Sequence, residues 1–158
     1  MKANFSIAAS ANIQRSSFDR SFNLKTTFDA NYLVPIFCDE ILPGDTFKLS
    51  TDMFCRLATP IKPAMDNLHV DTHFFFVPNR LVWNNWERFM GAKDNPDDAA
   101  TYVVPKLQIP ENNWTRDEHE TSIYGYFGIP FAPTLKFNAL PLRGYNLIFN
   151  NWFRDQNL

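Results

Sequence analysis

The strongest pattern in the sequence is the alternation of side chains in the run TFKLSTDMFCRLAT, residues 46–59. A period of two predicts a β-strand, because successive side chains of a strand point to opposite faces. The turn signal Pro43-Gly44-Asp45 precedes this run, and the apolar segment NYLVPIFCDE, residues 31–40, precedes the turn. These segments therefore predict a strand, a turn and a second strand.

The rest of the chain alternates between one further strand and several helical patterns. LHVDTHFFFVP, residues 68–78, predicts a third strand. The segment after it predicts a helix that is capped by Asn79 and ends at Gly91. Residues 92–122 form a long polar stretch in which we predict no regular element.

The last third of the chain favours helices. SIYGYFGIP, residues 122–130, is typical of a short helical turn that ends at Gly128. The closing segment predicts the best helix of the chain, which starts near Pro141. Its apolar stripe consists of Leu142, Tyr145, Ile148, Phe149 and Trp152.

Composition favours strands joined by proline-rich connections over a helical bundle. The 158 residues include 16 Phe, 5 Tyr and 4 Trp, with 11 Pro but only 5 Gly. No run approaches the roughly 20 consecutive apolar residues of a membrane span, and the start lacks the apolar core of a signal peptide. An amphipathic last helix and half-covered strands suggest the beginning of a larger sheet domain.

Residues 1–30 predict an extended N-terminal arm. The arm has four basic and two acidic side chains, with phenylalanines at intervals and no helical or alternating period. Cations interleaved with aromatic rings favour single-stranded nucleic acid, because phosphates attract the cations and bases stack on the rings. The candidate genome-facing residues are Arg15, Phe18, Arg20, Phe22 and Lys25.

A metal-dependent β-barrel oxygenase is the main enzymatic alternative. His69, Asp71 and His73 alternate along one strand, and His119 supplies a distant fourth candidate. Two histidines and a carboxylate can hold iron while leaving positions open for substrate. A solvated or subunit-facing strand is the stronger interpretation, because the other face of this strand carries the apolar residues Val70 and Phe74. His119 lies in the polar run RDEHE, which is poorly suited to holding a metal rigidly.

Other enzymatic and binding classes have less support. No Gly-x-Ser-x-Gly motif, glycine-rich phosphate loop or cysteine–histidine pair occurs. A carbohydrate- or receptor-binding β-module remains open, and it would depend on Trp86, Trp114 or Trp152.

Two long runs resemble one protein family. Residues 16–91, from SSFDRSFNLK to NNWERFMG, and residues 136–158, KFNALPLRGYNLIFNNWFRDQNL, resemble the major capsid protein of gokushoviruses, which belong to the Microviridae. The resemblance covers nearly the whole chain and is weakest through residues 92–120. Proteins of that family are much longer than this chain.

The resemblance implies a structural protein without catalytic activity, cofactor or metal. The implied fold is mainly β with helical insertions, a partial viral jelly-roll (an antiparallel β-barrel) that is incomplete in this chain. Residues 1–30 would form an interior arm, and residues 31–158 the first strands and adjoining helices. Copies of the subunit would form a small icosahedral shell around single-stranded DNA, with other virion proteins as further partners and no membrane. The protein would reside in the virion, after assembly in the cytoplasm of a bacterial host.

Overall fold

The structure, a computed structural model, describes residues 13–98, 101–109 and 115–157. Its strands are β1 (Lys106–Gln108) and β2 (Lys136–Asn138). Its helices are α1 (Asn79–Val82), α2 (Trp86–Phe89), α3 (Arg116–Glu120), α4 (Ile123–Tyr126), α5 (Leu140–Ile148) and a π-helical turn, Phe149–Phe153. No helix in these ranges is long and apolar enough to cross a membrane.

The sheet consists of β1 and β2 in antiparallel pairing. Leu107 lies opposite Phe137, and the pairing continues past the strand ends where the Ala139 amide donates to the Pro105 carbonyl at 2.9 Å. The Gln108 amide also donates to the Pro133 carbonyl at 2.6 Å. The short sheet therefore holds the start of α5 against the chain that leads into β1.

The core is small, and its residues lie in or beside β1, β2, α1, α3 and α5. Within the described ranges the buried residues are Trp83, Ile109, Ala139, Leu140, Leu142, Gly144 and His119 with its imidazole. Gly144 faces Val77 across the contact of α1 with α5, and a Cβ on Gly144 would lie 3.8 Å from the Val77 side chain.

The prediction of a helix near Pro141 is confirmed. The Asn138 side-chain oxygen accepts a hydrogen bond from the Leu140 amide at 2.9 Å, and Pro141 lies in the first turn, where a missing N–H costs nothing. The apolar stripe is only partly covered: Leu142 is buried, whereas Trp152 in the π-helical turn is 71% exposed.

The predicted helix over residues 79–91 is divided into α1 and α2. Asn79 is the first helical residue and not the cap, because the N-cap position belongs to Pro78. The backbone leaves the helical region at Trp83, and the chain re-enters a helix at Trp86. Gly91, with φ 103°, ends α2 as predicted.

Three strand predictions are wrong for this chain as the structure describes it. Residues 31–40, 46–59 and 68–78 form no hydrogen-bonded strand, so the expected mainly β fold is reduced to β1 and β2. A strand exists only when its backbone groups pair with a neighbour. Alternating side chains predicted the local pattern correctly but could not supply that neighbour.

The turn between the first two predicted strands is confirmed. The Asp45 amide donates to the Leu42 carbonyl at 3.1 Å, and Gly44 has φ 86°, a value that favours glycine. Gly128, with φ 72°, likewise ends the helical turn α4 as predicted. Turn residues act through local backbone geometry, which explains why these predictions did not depend on distant partners.

Candidate assembly surface and N-terminal arm

The chain exposes far more surface than a compact monomer of its size. Its accessible surface is 14805 Å², whereas a folded monomer of this mass exposes about 8,200 Å². Many of the exposed side chains are large and apolar, including Phe54 at 90%, Met65 at 95% and Ile61 fully exposed. Apolar surface on this scale is normally covered by further protein, either more of the same polypeptide or another subunit.

The described part of the arm, residues 13–30, folds back along residues 37–44. Three contacts join the two segments: the Arg15 guanidinium donates to the Gly44 carbonyl at 3.4 Å, Arg20 forms an ion pair with Asp39 at 3.0 Å, and Phe22 stacks on Phe37 with ring centroids 5.6 Å apart. As the residue number in the arm rises from 15 to 22, the number of the contacted residue falls from 44 to 37. The two segments are therefore antiparallel neighbours, held by side chains.

The reversal between these segments is held on both sides by tyrosines. The chain turns at Ala30 and Asn31, where Asn31 has φ 68°. The Tyr126 hydroxyl donates to the Thr27 carbonyl at 3.1 Å, and the Tyr145 hydroxyl donates to the Leu33 carbonyl at 2.8 Å. Thr27 of the arm is thus held by α4, and Leu33, just after the reversal, is held by α5.

The candidate genome-facing residues share no single cluster. Arg20 and Phe22 lie side by side against residues 37–39, while Phe18 projects from the same segment and is 82% exposed. Lys25 lies apart, lining an open cavity with Asp117 and Glu120 of α3. Residues 1–12 of the predicted arm lie outside the described residues.

The metal candidates are not brought together. His73 packs edge-on against Phe153 at 5.4 Å and stacks near Phe75. His119 is buried in α3, where its ring stacks near Tyr124 and lies 5.3 Å from Phe131. In the portions of the chain that the structure describes, no three His, Cys, Asp or Glu side chains are placed to hold a metal ion.

The tryptophan candidates for carbohydrate binding have different surroundings. Trp86 packs against Trp83 and Phe89, with ring centroids 6.2 and 5.8 Å away. Trp152 lies 5.7 Å from Phe75 and remains mostly exposed. Trp114 lies outside the described residues.

Two predicted strand segments face each other across an open cavity. It is lined by Leu49, Thr51, Met53, Val70, Thr72 and Phe74. Every second residue of both segments points to this space, so the predicted period of two is present although no strand forms. The side chains of residues 46–59 that line the cavity belong to one face of the segment, as the alternation predicted.

Sequence reasoning missed the residues that receive the arm. Asp39 and Tyr126 bind it, and Tyr145, which the sequence places only in an apolar stripe, binds Leu33 just after the reversal. The hydroxyl group of Tyr145 is the sequence feature that could have indicated this contact, because a partly buried tyrosine usually forms a hydrogen bond. Burial also raises the pKa of Tyr145 above its ordinary value.

A chain with a small core, little paired strand and this much exposed apolar surface is typical of one part of a larger protein structure. Residues 6–158 match the family described as "Capsid protein (F protein)". The chain belongs to this family of phage capsid proteins, and the resemblance found in the sequence is confirmed.

Three relatives support the assignment. Capsid protein VP1 of Chlamydia phage 1 is 51% identical over 165 residues, which cover 100% of this chain and 27% of that protein. Capsid protein VP1 of Bdellovibrio phage phiMH2K is 51% identical over 98% of this chain and 28% of its own length. Capsid protein VP1 of Spiroplasma virus 4 is 34% identical, with the same coverage. The chain therefore spans just over a quarter of the length of these relatives.

Proposed function

We propose that this chain is part of a structural subunit that self-assembles into a small icosahedral shell around single-stranded DNA. The observation that carries the proposal is the exposed apolar surface, which includes Phe54, Ile61 and Met65. In a shell, such surface is covered by neighbouring copies or by other virion proteins. The protein would reside in the virion after assembly in the bacterial cytoplasm, and it would need no catalytic residue or cofactor.

The finer architecture that we propose is a viral jelly-roll, with residues 31–158 supplying its first strands and adjoining helices. The cavity lined by alternate residues of segments 49–53 and 70–74 supports this fold. Two segments that present apolar side chains to a common space are suited to face each other in a β-barrel. Backbone pairing would then require further strands next to them.

The proposed shell can be tested by particle formation. Purified intact protein should sediment as uniform particles, and negative-stain microscopy should show closed shells of one diameter. Phe54→Ser and Ile61→Ser should each lower the yield of particles or of folded subunits, because both remove apolar contact. Lys62→Ser is the matched exposed control and should change neither. Protein that stays monomeric at high concentration would contradict the proposal.

The arm, residues 1–30, is proposed to contact the genome inside the shell. The support is chemical: Arg15, Arg20 and Lys25 are cationic, and Phe18 and Phe22 offer ring faces to bases. The exposure of Phe18 leaves it accessible to a partner.

Replacing Arg15, Arg20 and Lys25 together by alanine should reduce packaged DNA more than it reduces the number of shells. The control is the triple replacement of Lys48, Arg56 and Lys62, which removes the same charge outside the arm. DNA content would be measured as the ratio of absorbance at 260 and 280 nm in purified particles. Equal DNA content in both triple variants would argue against an arm that contacts the genome.

A further inference from the structure

The side chains of Arg20 and Phe22 both contact residues of the same chain in this structure. Arg20 binds the Asp39 carboxylate at 3.0 Å, and Phe22 stacks on the Phe37 ring with an interplanar angle of 16°. Asp39 and Phe37 are two residues apart, as are Arg20 and Phe22. Side chains two residues apart share one face of an extended chain, so each pair acts as one unit.

Asp39 and Phe37 together offer the chemistry that a nucleotide offers. A nucleotide presents an anionic phosphate, which arginine binds, and a flat base, which stacks on an aromatic ring. Asp39 supplies an anion to Arg20, and Phe37 supplies a flat ring to Phe22. Asp39 and Phe37 therefore engage Arg20 and Phe22, the two nucleotide-binding groups proposed for the arm, at the same time.

We propose that Asp39 and Phe37 form an internal competitor that a nucleic-acid strand must displace before Arg20 and Phe22 can bind it. This inference rests on the proposed contact between arm and genome, and it adds which residues regulate that contact. The partner is single-stranded nucleic acid, because phosphate and unpaired base are the groups that replace carboxylate and ring.

The exposure of the ion pair makes displacement feasible. The Arg20 side chain is 61% exposed and can be reached by a phosphate, whereas the Asp39 side chain is 15% exposed and is held in place. The Glu40 amide donates to the Asp39 carboxylate at 2.8 Å, which fixes its orientation. Arg20 would move from one anion to another while Asp39 stays in position.

Neutralising Asp39 should strengthen binding of single strands. Asp39→Asn keeps an oxygen that can accept from the Glu40 amide but removes the charge that pairs with Arg20. In the intact protein, anisotropy of a fluorescein-labelled 20-mer of thymidylate should show binding about two- to fivefold tighter, the gain expected when an exposed ion pair no longer competes. One additional phosphate contact should also steepen the dependence of log K on log salt by about 0.7.

The control separates this local effect from overall charge. Asp52→Asn changes the net charge equally at an exposed position outside the arm and its partner segment, and should alter neither affinity nor salt slope to the same extent. Asp39→Glu keeps the charge and should bind as the unchanged protein does. Combining Asp39→Asn with Arg20→Ala should abolish the gain.

A second variant tests the ring half of the competitor and guards against misfolding of the first. Phe37→Leu removes the stacking partner of Phe22 and should also tighten binding, whereas Phe54→Leu, at a residue 90% exposed, should not. If Asp39→Asn matches Asp52→Asn and Phe37→Leu matches Phe54→Leu, the internal competitor is disproved and the genome contact stands. If no variant binds the oligonucleotide, the genome contact itself is wrong and this inference fails with it.

Discussion

The hydroxyl of Tyr145 donates a hydrogen bond of 2.8 Å to the carbonyl of Leu33, a residue 112 positions earlier in the chain. It joins α5 to the segment that follows the reversal of the arm. A backbone oxygen is the acceptor, so the contact depends on the path of the chain and not on the side chain at position 33. Tyr126 repeats this arrangement at Thr27, before the reversal.

Tyr145→Phe should loosen the arm. The change removes one hydrogen bond and keeps the ring, so we expect a loss of about 1 kcal/mol in the free energy of unfolding. Limited proteolysis within residues 13–33 should become faster. Tyr32→Phe is the control, because Tyr32 is 71% exposed and should tolerate the change. Equal cleavage rates in both variants would mean that the hydroxyl does not hold the arm.

The close approach of α4 to the end of α3 requires glycine at position 125. A Cβ on Gly125 would overlap the carbonyl of Glu120, which is backbone and cannot move aside easily. Gly125→Ala should therefore cost about 1–3 kcal/mol in the free energy of unfolding, measured by urea titration.

Gly144→Ala is the matched control in α5. There a Cβ meets only the Val77 side chain, at an ordinary contact distance of 3.8 Å. Alanine in a helix is favoured over glycine by up to about 1 kcal/mol. The two substitutions should thus shift the midpoint in opposite directions, and a shift in the same direction would refute the steric argument.

The sequence predicted local structure where the cause was local. Gly44, Gly91 and Gly128 end or turn the chain at the expected positions, because a positive φ is a property of the residue itself. Pro141 likewise marked the start of α5. None of these features needs a partner from another part of the chain.

The sequence failed where structure depends on distant partners. β1 lies in the polar stretch 92–122, and it pairs with β2 at residues 136–138, so neither strand is explained by its own pattern. Conversely, the well-alternating run 46–59 has no hydrogen-bonded backbone neighbour among the described residues and forms no strand there. The arm was predicted to be extended, but its fold-back depends on contacts with Asp39 and Tyr126, which lie outside it in the sequence.

One missed element did have a local signal. Thr115 and Glu118 are spaced as in a capping box, and both of its hydrogen bonds form: the Glu118 amide donates to the Thr115 hydroxyl oxygen at 3.3 Å, and the Thr115 amide donates to the Glu118 carboxylate at 2.7 Å. The polar character of the surrounding run concealed it. The motif predicts where α3 begins even though most of α3 is exposed.

The capping box should make α3 sensitive to acid. The hydrogen bond from the Thr115 amide, and then that from its hydroxyl, lowers the pKa of Glu118 below its ordinary value of 4.5. A carboxyl whose pKa is lower in the folded state stabilises that state above its ordinary pKa and loses the effect as pH falls. The start of α3 should therefore fray below about pH 4.5, with a smaller protection factor against amide exchange at Thr115, measured relative to the intrinsic rate at each pH. Glu118→Gln should remove this pH dependence, and its persistence in that variant would exclude Glu118 as the cause.

His119 should contribute by packing and not by hydrogen bonding of its Nε2. The side chain is 2% exposed and contacts the rings of Tyr124 and Phe131, and its Nε2 has no hydrogen-bond partner among the described residues. His119→Ala should therefore cost about 3 kcal/mol in the free energy of unfolding, because it leaves a cavity between aromatic rings.

His119→Phe is the variant that separates ring packing from polar contacts. Phenylalanine keeps a flat ring against Tyr124 and Phe131 and removes a buried nitrogen without a partner, so its stability should stay within about 1 kcal/mol of the original. The Ser122 hydroxyl donates to the His119 carbonyl at 2.6 Å, a backbone contact that both substitutions retain. Urea titration followed by tryptophan fluorescence would compare the two variants. If His119→Phe were as unstable as His119→Ala, the imidazole nitrogens and not the ring faces would hold α3 in the core.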